Sequence, residues 1–227
     1  MKNSPDGGDA VLQAFRALGI DYVMSSPGSE WGPVWEAMAQ QKLSNEPGPT
    51  YLTCAHETLA VNLAVGYTSI TGRMQAVMLH AGVGLLQGAL GIEGALRGAI
   101  PMVVMSGESL SFGEDPEFNP GFQWQALLNQ VGSNPRLLEP LVKWSQQAGS
   151  VTAVHQQIVS AGELAQRTPR APVYMSVPIE VMTQPWTPPD ELRDPPPPPV
   201  LTATADDIDA VAQMLLAAKN PAIITEE

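Results

Sequence analysis

The chain has 227 residues, a formal net charge of −12 and 44% hydrophobic residues, enough apolar material for a substantial core in one large domain or one and a half. The acidity argues against nucleic acid and anionic membrane as partners, because both select basic surfaces. The apolar runs are broken by Gly, Pro or polar residues before they reach membrane-spanning length, no basic segment precedes an apolar stretch at the N-terminus, and the single cysteine, Cys54, cannot form an internal disulfide, so the sequence reads as soluble and cytoplasmic.

Strand-like and helix-like segments alternate from residue 8 to about 180. Val11, Leu12, Phe15 and Leu18 recur with helical spacing, and Gly19 supplies a stop. Tyr22–Ser25 is a short strand, and Trp31–Gln40 a helix with Trp35 and Met38 facing in. Tyr51–Ala55 reads as a buried strand. The helix after it places Leu59, Leu63, Gly66, Tyr67 and Ile70 on one face, and Thr71-Gly72 ends it. Ala76–Leu79 is strand, Gly84–Leu96 helix and Pro101–Met105 strand. A loop over 106–122 follows, rich in Gly, Pro, Asp and Glu and long enough to be functional; Phe112, Phe118 and Phe122 are expected to shape access to a site there. Gln123–Gln130 reads as a short helix and Leu141–Ser145 as a strand. Ser150 caps a helix carrying Val151, Val154, Ile158, Ala161 and Ala165, and Pro172–Val177 is the last strand. Runs such as Met102-Val-Val-Met105 lack alternation, which fits strands covered on both faces in a mostly parallel α/β sheet.

From Pro185 to Pro199, eight of fifteen residues are proline, so this stretch reads as a semi-rigid extended linker. A capped amphipathic helix from Thr204 and a strand at Pro221–Thr225 would then open a second α/β unit. A helix and one strand cannot close a sheet. The expected organisation is therefore a first domain over 1–183, a Pro-rich linker over 184–200 and the start of a second domain over 201–227.

Glu57 stands just after a predicted strand and at the start of a predicted helix. A carboxylate at that edge of a parallel sheet faces the crevice where such sheets bind ligands. The apolar residues that follow it suggest a dry surface, the setting for proton exchange with a heterocycle near neutral pH. The alternative is a first-turn glutamate that satisfies free backbone N–H groups. Two more loops reach the same edge. One is Ser25-Ser-Pro-Gly-Ser-Glu30, with a close-approach turn at Pro27 and Gly28 and a hydroxyl at Ser29. The other is His80-Ala-Gly-Val-Gly84, followed by Gln87. A histidine in such a place is more often hydrogen-bonded structure than catalyst. Gly82 and Gly84 lack the Lys-Ser/Thr of a phosphate loop. No CxxC or His-x-x-x-His spacing marks a metal site.

The order and spacing of these segments resemble the pyrimidine-binding domain of thiamine diphosphate enzymes, in the branch of benzoylformate decarboxylase and acetolactate synthase. The matching segments are Gly19-Ile-Asp-Tyr-Val-Met, Ser26-Pro-Gly-Ser, His56-Glu57, Ala64-Val-Gly-Tyr67 with Thr71-Gly72, and Leu79-His-Ala-Gly-Val-Gly84. They continue with Gly91-Ile, Ile100-Pro-Met-Val-Val-Met-Ser-Gly107, Leu141-Val-Lys-Trp144 and Ala171-Pro-Val-Tyr-Met-Ser-Val-Pro178. No single motif is diagnostic, but the ordered set spans nearly all of 8–182.

The resemblance implies a flavodoxin-like, mostly parallel sheet with helices on both faces. It implies that Glu57 bonds the cofactor pyrimidine and shares a proton with it, and that Pro27 and Gly28 form the turn approaching that ring. His80 matches a histidine that handles substrate protons in the benzoylformate decarboxylase branch, and Ser29 a hydroxyl that meets the substrate carboxylate. Gln87 stands where that branch has asparagine, a departure that leaves open its role on the cofactor side. His56 is expected to be structural support. The implied cofactors are thiamine diphosphate and Mg²⁺, the latter bound through a diphosphate-binding domain that this sequence lacks, since it has neither Gly-Asp-Gly nor Asn-Asn. The implied partners are a 2-oxo acid substrate and the diphosphate-binding domain of another subunit or chain, in a homo-oligomer. Self-association through the helix of Glu57 is expected, with Ala60, Ala64 and Gly66 allowing close approach. The chain accordingly reads as the N-terminal part of a larger enzyme or one subunit of a split one. Two readings compete: a non-catalytic binding or regulatory subunit of the same fold, and a nucleotide- or flavin-binding domain.

Overall fold

The computed structural model describes residues 4–26, 28–108, 133–192 and 195–224. The helix expected at Gln123–Gln130, the phenylalanines of the expected access loop and Pro27 lie outside the described residues. The chain divides after Pro196 into two compact units.

In the first unit, α1 (Gly7–Ala17) opens on a capping box in which Asp6 accepts from the backbone N–H groups of Gly8 and Asp9. It buries Ala10, Val11, Leu12, Ala14 and Phe15, and the chain leaves it through Gly19 at φ +65°. Then follow β1 (Tyr22–Ser26), a 3₁₀ turn (Ser29–Trp31), α2 (Gly32–Leu43), β2 (Thr50–Thr53), α3 (Glu57–Thr71) and β3 (Gln75–Leu79). The chain continues with α4 (Ala81–Arg97), β4 (Met102–Glu108), a short α5 (Asn134–Leu138), β5 (Trp144–Gln147), α6 (Val151–Gln166), β6 (Val173–Pro178) and α7 (Ile179–Thr183).

The six strands are parallel and lie in the order β2-β1-β3-β4-β6-β5. Alternate strand residues serve two cores. Val23, Ala76, Met78, Val103, Met105, Val173 and Met175 pack with α1, α2, α6 and α7 on one face. Met24, Val77, Leu79, Met102, Val104 and Tyr174 pack with α3, α4 and α5 on the other. Period-two alternation with apolar residues on both sides is what a doubly covered parallel sheet requires. The order reverses between β1 and β3, which makes the crevice beyond their carboxyl ends the ligand-binding place of such a sheet.

Several expectations need correction. β2 is an edge strand, with three of its four residues exposed, because no strand lies beyond it among the described residues. In α3 the leucine face points outward: Leu59, Leu63 and Ile70 are exposed, while Ala60, Val61, Ala64 and Thr68 are buried. The cause is tight α3–α4 packing. A Cβ added at Gly91 of α4 would stand 2.8 Å from Val61 Cγ1, so only small side chains fit between the helices. Ala60 and Ala64 are buried within this chain, and Gly66 is exposed. β4 runs on to Glu108, so the first residues of the expected loop over 106–122 pair with β6. β5 begins at Trp144 rather than Leu141, because Glu139–Leu141 form a 3₁₀ turn and Trp144 is the residue in register with Val173.

The second unit, from Pro197, carries α8 (Ala205–Ala217), capped by Thr204, whose hydroxyl accepts from the backbone N–H of Asp207. The strand expected from Pro221 is not formed over 221–224; Thr225 lies outside the described residues. No helix among the described residues is long and apolar enough to cross a membrane.

Candidate functional site

β1, β2 and β3 run parallel, so the turns that follow them share one edge of the sheet, as the sequence pattern required. Each turn delivers a chemical group there.

Glu57 is the first residue of α3, and its side chain retains 18% of its accessible surface. His56 caps the helix: its Nδ1 accepts the Thr58 N–H at 3.2 Å and stands 4.0 Å from Glu57 Oε2. The cap is thus supplied by the neighbouring imidazole, which leaves the Glu57 carboxyl free of that duty. Thr58 donates its hydroxyl to the backbone carbonyl of Gln87 at 2.9 Å, tying the start of α3 to α4. The Gln87 residue itself is exposed.

His80 precedes α4, with 23% of its side chain accessible. A Cβ placed on Gly84 would lie 3.1 Å from Glu57 Oε1 and 3.1 Å from His80 Cβ. The carboxyl and the imidazole stem therefore flank the same glycine, the residue that leaves room for both. In the sequence the two groups stand 23 residues apart; the structure brings them together.

Gly28 is buried and Ser29 exposed at the start of the 3₁₀ turn. A Cβ on Gly28 would come within 1.9 Å of His80 Nδ1 and 2.2 Å of Glu30 Oε2, so only glycine permits this approach of backbone to imidazole. The turn is braced from both sides. The Trp31 indole N–H donates to the Leu79 carbonyl at 2.8 Å, and Ser25 Oγ donates to the Met78 carbonyl at 2.8 Å.

Glu30 is the residue that the site reading of the sequence passed over. It is 1% exposed. His80 Nδ1 lies 2.8 Å from its Oε1 and 2.9 Å from its Oε2, and Oε1 also accepts the Ala81 N–H at 2.8 Å. The signal was available: Glu30 is a carboxylate in the loop after β1, the same criterion that selected Glu57. The hydrogen bond to Glu30 raises the His80 pKa above its ordinary value. Burial opposes the shift, and the charges of Glu30 and Glu57 add to it.

Cys54 is buried, and its thiol is pushed up by that burial, which fits a core residue. Among the described residues no group of three His, Cys, Asp or Glu side chains could hold a metal ion. A cleft of about 780 Å³ between α2 and β2, with Trp35, Met38 and Tyr51 in its wall, contains none of the groups above.

Comparison with known proteins places these residues in context. Residues 5–127 match a family model described as "Thiamine pyrophosphate enzyme, N-terminal TPP binding domain". The acetolactate synthase large subunit of Lactococcus lactis subsp. lactis (strain IL1403) is 26% identical over 197 residues, 86% of this chain and 31% of that protein. The benzoylformate decarboxylase of Pseudomonas aeruginosa (PAO1) is 28% identical over 176 residues, 78% of this chain and 30% of that protein. The structure of a thiamine diphosphate-dependent 4-hydroxybenzoylformate decarboxylase from Rhodococcus jostii RHA1 superposes with a TM-score of 0.73 at 24% identity. That match covers 95% of this chain and 38% of the other, and at this identity it speaks to the fold. The chain thus spans about a third of the length of the curated relatives it matches.

Proposed function

The chain belongs to the thiamine pyrophosphate enzymes through their N-terminal TPP-binding domain, and from that premise we propose that it forms the aminopyrimidine-binding half of an active site that decarboxylates or ligates a 2-oxo acid. The observation that carries the proposal is the pairing of a partly open carboxyl, Glu57, with the His80 imidazole across Gly84.

The residues fit the cofactor's aminopyrimidine end. Glu57 offers a carboxyl that can hold or release a proton against a ring nitrogen, and its helix is capped independently by His56. Pro27 and Gly28 are assigned to the turn that approaches the ring, and the missing Gly28 side chain makes room there for the His80 imidazole and the Glu30 carboxyl. Gln87 follows on α4 as a carboxamide on the cofactor side. When bound, thiamine diphosphate supplies the electron sink for cleavage beside a carbonyl.

The remaining work falls to this chain's side chains. Ser29 presents a hydroxyl to the substrate carboxylate. His80 supplies and recovers a proton at the substrate oxygen. The substrate class follows the relatives, a benzoylformate decarboxylase and an acetolactate synthase, with His80 inclining the chemistry toward decarboxylation. Mg²⁺ and the diphosphate are assigned to the diphosphate-binding domain of another subunit or chain. The exposed apolar residues Leu59, Leu63 and Ile70 of α3 and Val83, Leu86 and Leu90 of α4 form the surface such a domain would cover. Its burial would also dry the Glu57 carboxyl. The enzyme is assigned to the cytoplasm as a homo-oligomer.

The test is CO₂ release from a panel of aryl and alkyl 2-oxo acids by the complete enzyme, with and without Glu57→Gln. Turnover that falls by about 100-fold or more in the variant supports the assignment. No turnover of any 2-oxo acid by the unmodified enzyme leaves only the non-catalytic reading of the fold.

A further inference from the structure

We propose that Glu30 is a positioning residue for His80: its buried carboxylate takes the Nδ1–H, so that Nε2 alone gains and loses the working proton. The inference rests on the reading of His80 as the proton-handling group of the site. The geometry behind it does not.

Three observations converge on Glu30. Both of its oxygens lie within 2.9 Å of His80 Nδ1, and Oε1 also receives the Ala81 N–H. A carboxylate only accepts, so the hydrogen on Nδ1 must point into it, and the tautomer follows. The second observation is the housing. A Cβ on Gly107 of β4 would stand 2.0 Å from Glu30 Cγ, and one on Gly28 2.2 Å from Glu30 Oε2. Two glycines on separate strand ends thus make the slot in which the carboxylate lies. The third is burial: Glu30 is 1% exposed, whereas His80 keeps about a quarter of its surface. An acid with almost no access to solvent, bonded among the described residues to His80 and Ala81, is placed to orient its partner rather than to meet substrate.

The charges around the ring agree. Glu30 in the turn after β1 and Glu57 on α3 both favour imidazolium, and the N-terminus of α4 opposes it. The raised His80 pKa is the net result among the described residues. The proton cycle then closes on one atom. The Nε2–H bond breaks as an O–H bond forms on the substrate. The Nδ1–H bond stays intact throughout, donated to the Glu30 carboxylate, and Nε2 is reloaded from water through the exposed side of the ring. Without Glu30 the neutral ring is free to choose either tautomer, and half of the site's proton logic is lost.

The chain has only three histidines, His56, His80 and His155, which makes a nitrogen-15 NMR titration of the full chain readable. In the unmodified protein, the neutral form of His80 is expected to show a protonated Nδ1 and a deprotonated Nε2. In Glu30→Gln its midpoint is expected to move down toward the ordinary imidazole range, while the His56 and His155 midpoints stay put. An Nε2–H tautomer in the unmodified protein overturns the proposal without any variant, so a Glu30→Gln chain that fails to fold does not shelter it. An unmoved midpoint in a folded Glu30→Gln chain overturns it equally. In the complete enzyme, Glu30→Gln is expected to lower kcat by about 100-fold or more with KM little changed and to shift the pH profile of kcat to lower pH. An unshifted profile counts against Glu30. Failure of the broader functional reading looks different: the tautomer and midpoint are as expected, but no 2-oxo acid turns over.

Discussion

The slot beneath β4 makes Gly107→Ala a sharp perturbation. The new methyl would stand 2.0 Å from Glu30 Cγ, 2.9 Å from its Cβ and 3.1 Å from its Cδ. These atoms are the stem of a buried side chain, so they cannot swing away as a free end would. Overpacking of this kind costs about 1–3 kcal/mol. If the stem is displaced, the hydrogen bonds from His80 and Ala81 to the carboxylate weaken, and bonds to a charged group contribute about 1.5–3 kcal/mol. Against this stands a gain of about 0.5–1 kcal/mol from removing a glycine from a strand. The expected net loss is about 1.5–5.5 kcal/mol, read as a lower urea midpoint at unchanged m-value, followed by far-UV circular dichroism. Gly94→Ala is the control. It lies exposed in α4 with nothing within 4 Å of an added Cβ, and it is expected to stabilise by up to about 1 kcal/mol. The double variant Gly107→Ala/Glu30→Ala should be less destabilised than the sum of its parts, because the truncated side chain vacates the slot. A neutral or stabilising Gly107→Ala, or strict additivity with Glu30→Ala, would refute the placement of Glu30 under β4.

Three further outcomes are expected. Trp31→Phe leaves the buried Leu79 carbonyl without its indole donor and should cost about 1–2 kcal/mol in the same urea assay; an unchanged midpoint would mean the brace is absent. The Glu30–His80 pair involves a histidine with a raised pKa, so its contribution is full below the ordinary value of 6.5 and is lost as pH rises through the folded value. The stability difference between the unmodified chain and Glu30→Gln should accordingly be larger at pH 6 than at pH 9, and an equal difference at both would contradict the pairing. His155 has the opposite sign: burial lowers its pKa, its Nε2 has no hydrogen-bond partner among the described residues, and its ring stacks on Trp186 at 6.0 Å. Its burial should destabilise the fold as pH falls below 6.5, and His155→Phe should flatten that dependence while keeping the stack. A slope unchanged in the variant would assign the acid sensitivity elsewhere.

The sheet and its helices were readable because both rest on local pattern. Apolar runs such as Met102–Met105 carry side chains for two cores at once, and Gly19 and Ser150 mark helix ends through backbone conformation and capping. Carboxyl-edge placement of Glu57, Ser29 and His80 followed from a parallel sheet and turn positions alone. What the sequence hid depends on relations between elements. Nothing local says that β2 lies at an edge, so its burial was misjudged. Nothing local says that Val61 meets Gly91, so which way the leucine face of α3 points could not be read from its spacing; packing against α4 leaves Leu59, Leu63 and Ile70 exposed. Glu30 was legible as a carboxylate at this edge, but its contacts were not, for the same reason. Its significance lies in Gly107, on a strand that follows almost eighty residues later, and in the His80 ring between them.

The most direct test of the account is the exchange of the C2 proton of thiamine diphosphate for deuterium, measured by acid-quench NMR on the complete enzyme with Mg²⁺, unmodified and as Glu57→Gln. With a proton-sharing carboxyl at Glu57, exchange should slow by about 100-fold or more in the variant while the protein stays folded. Exchange at the unmodified rate in a folded Glu57→Gln enzyme would show that Glu57 is only the first residue of a helix, and the catalytic reading of this edge of the sheet would fall with it.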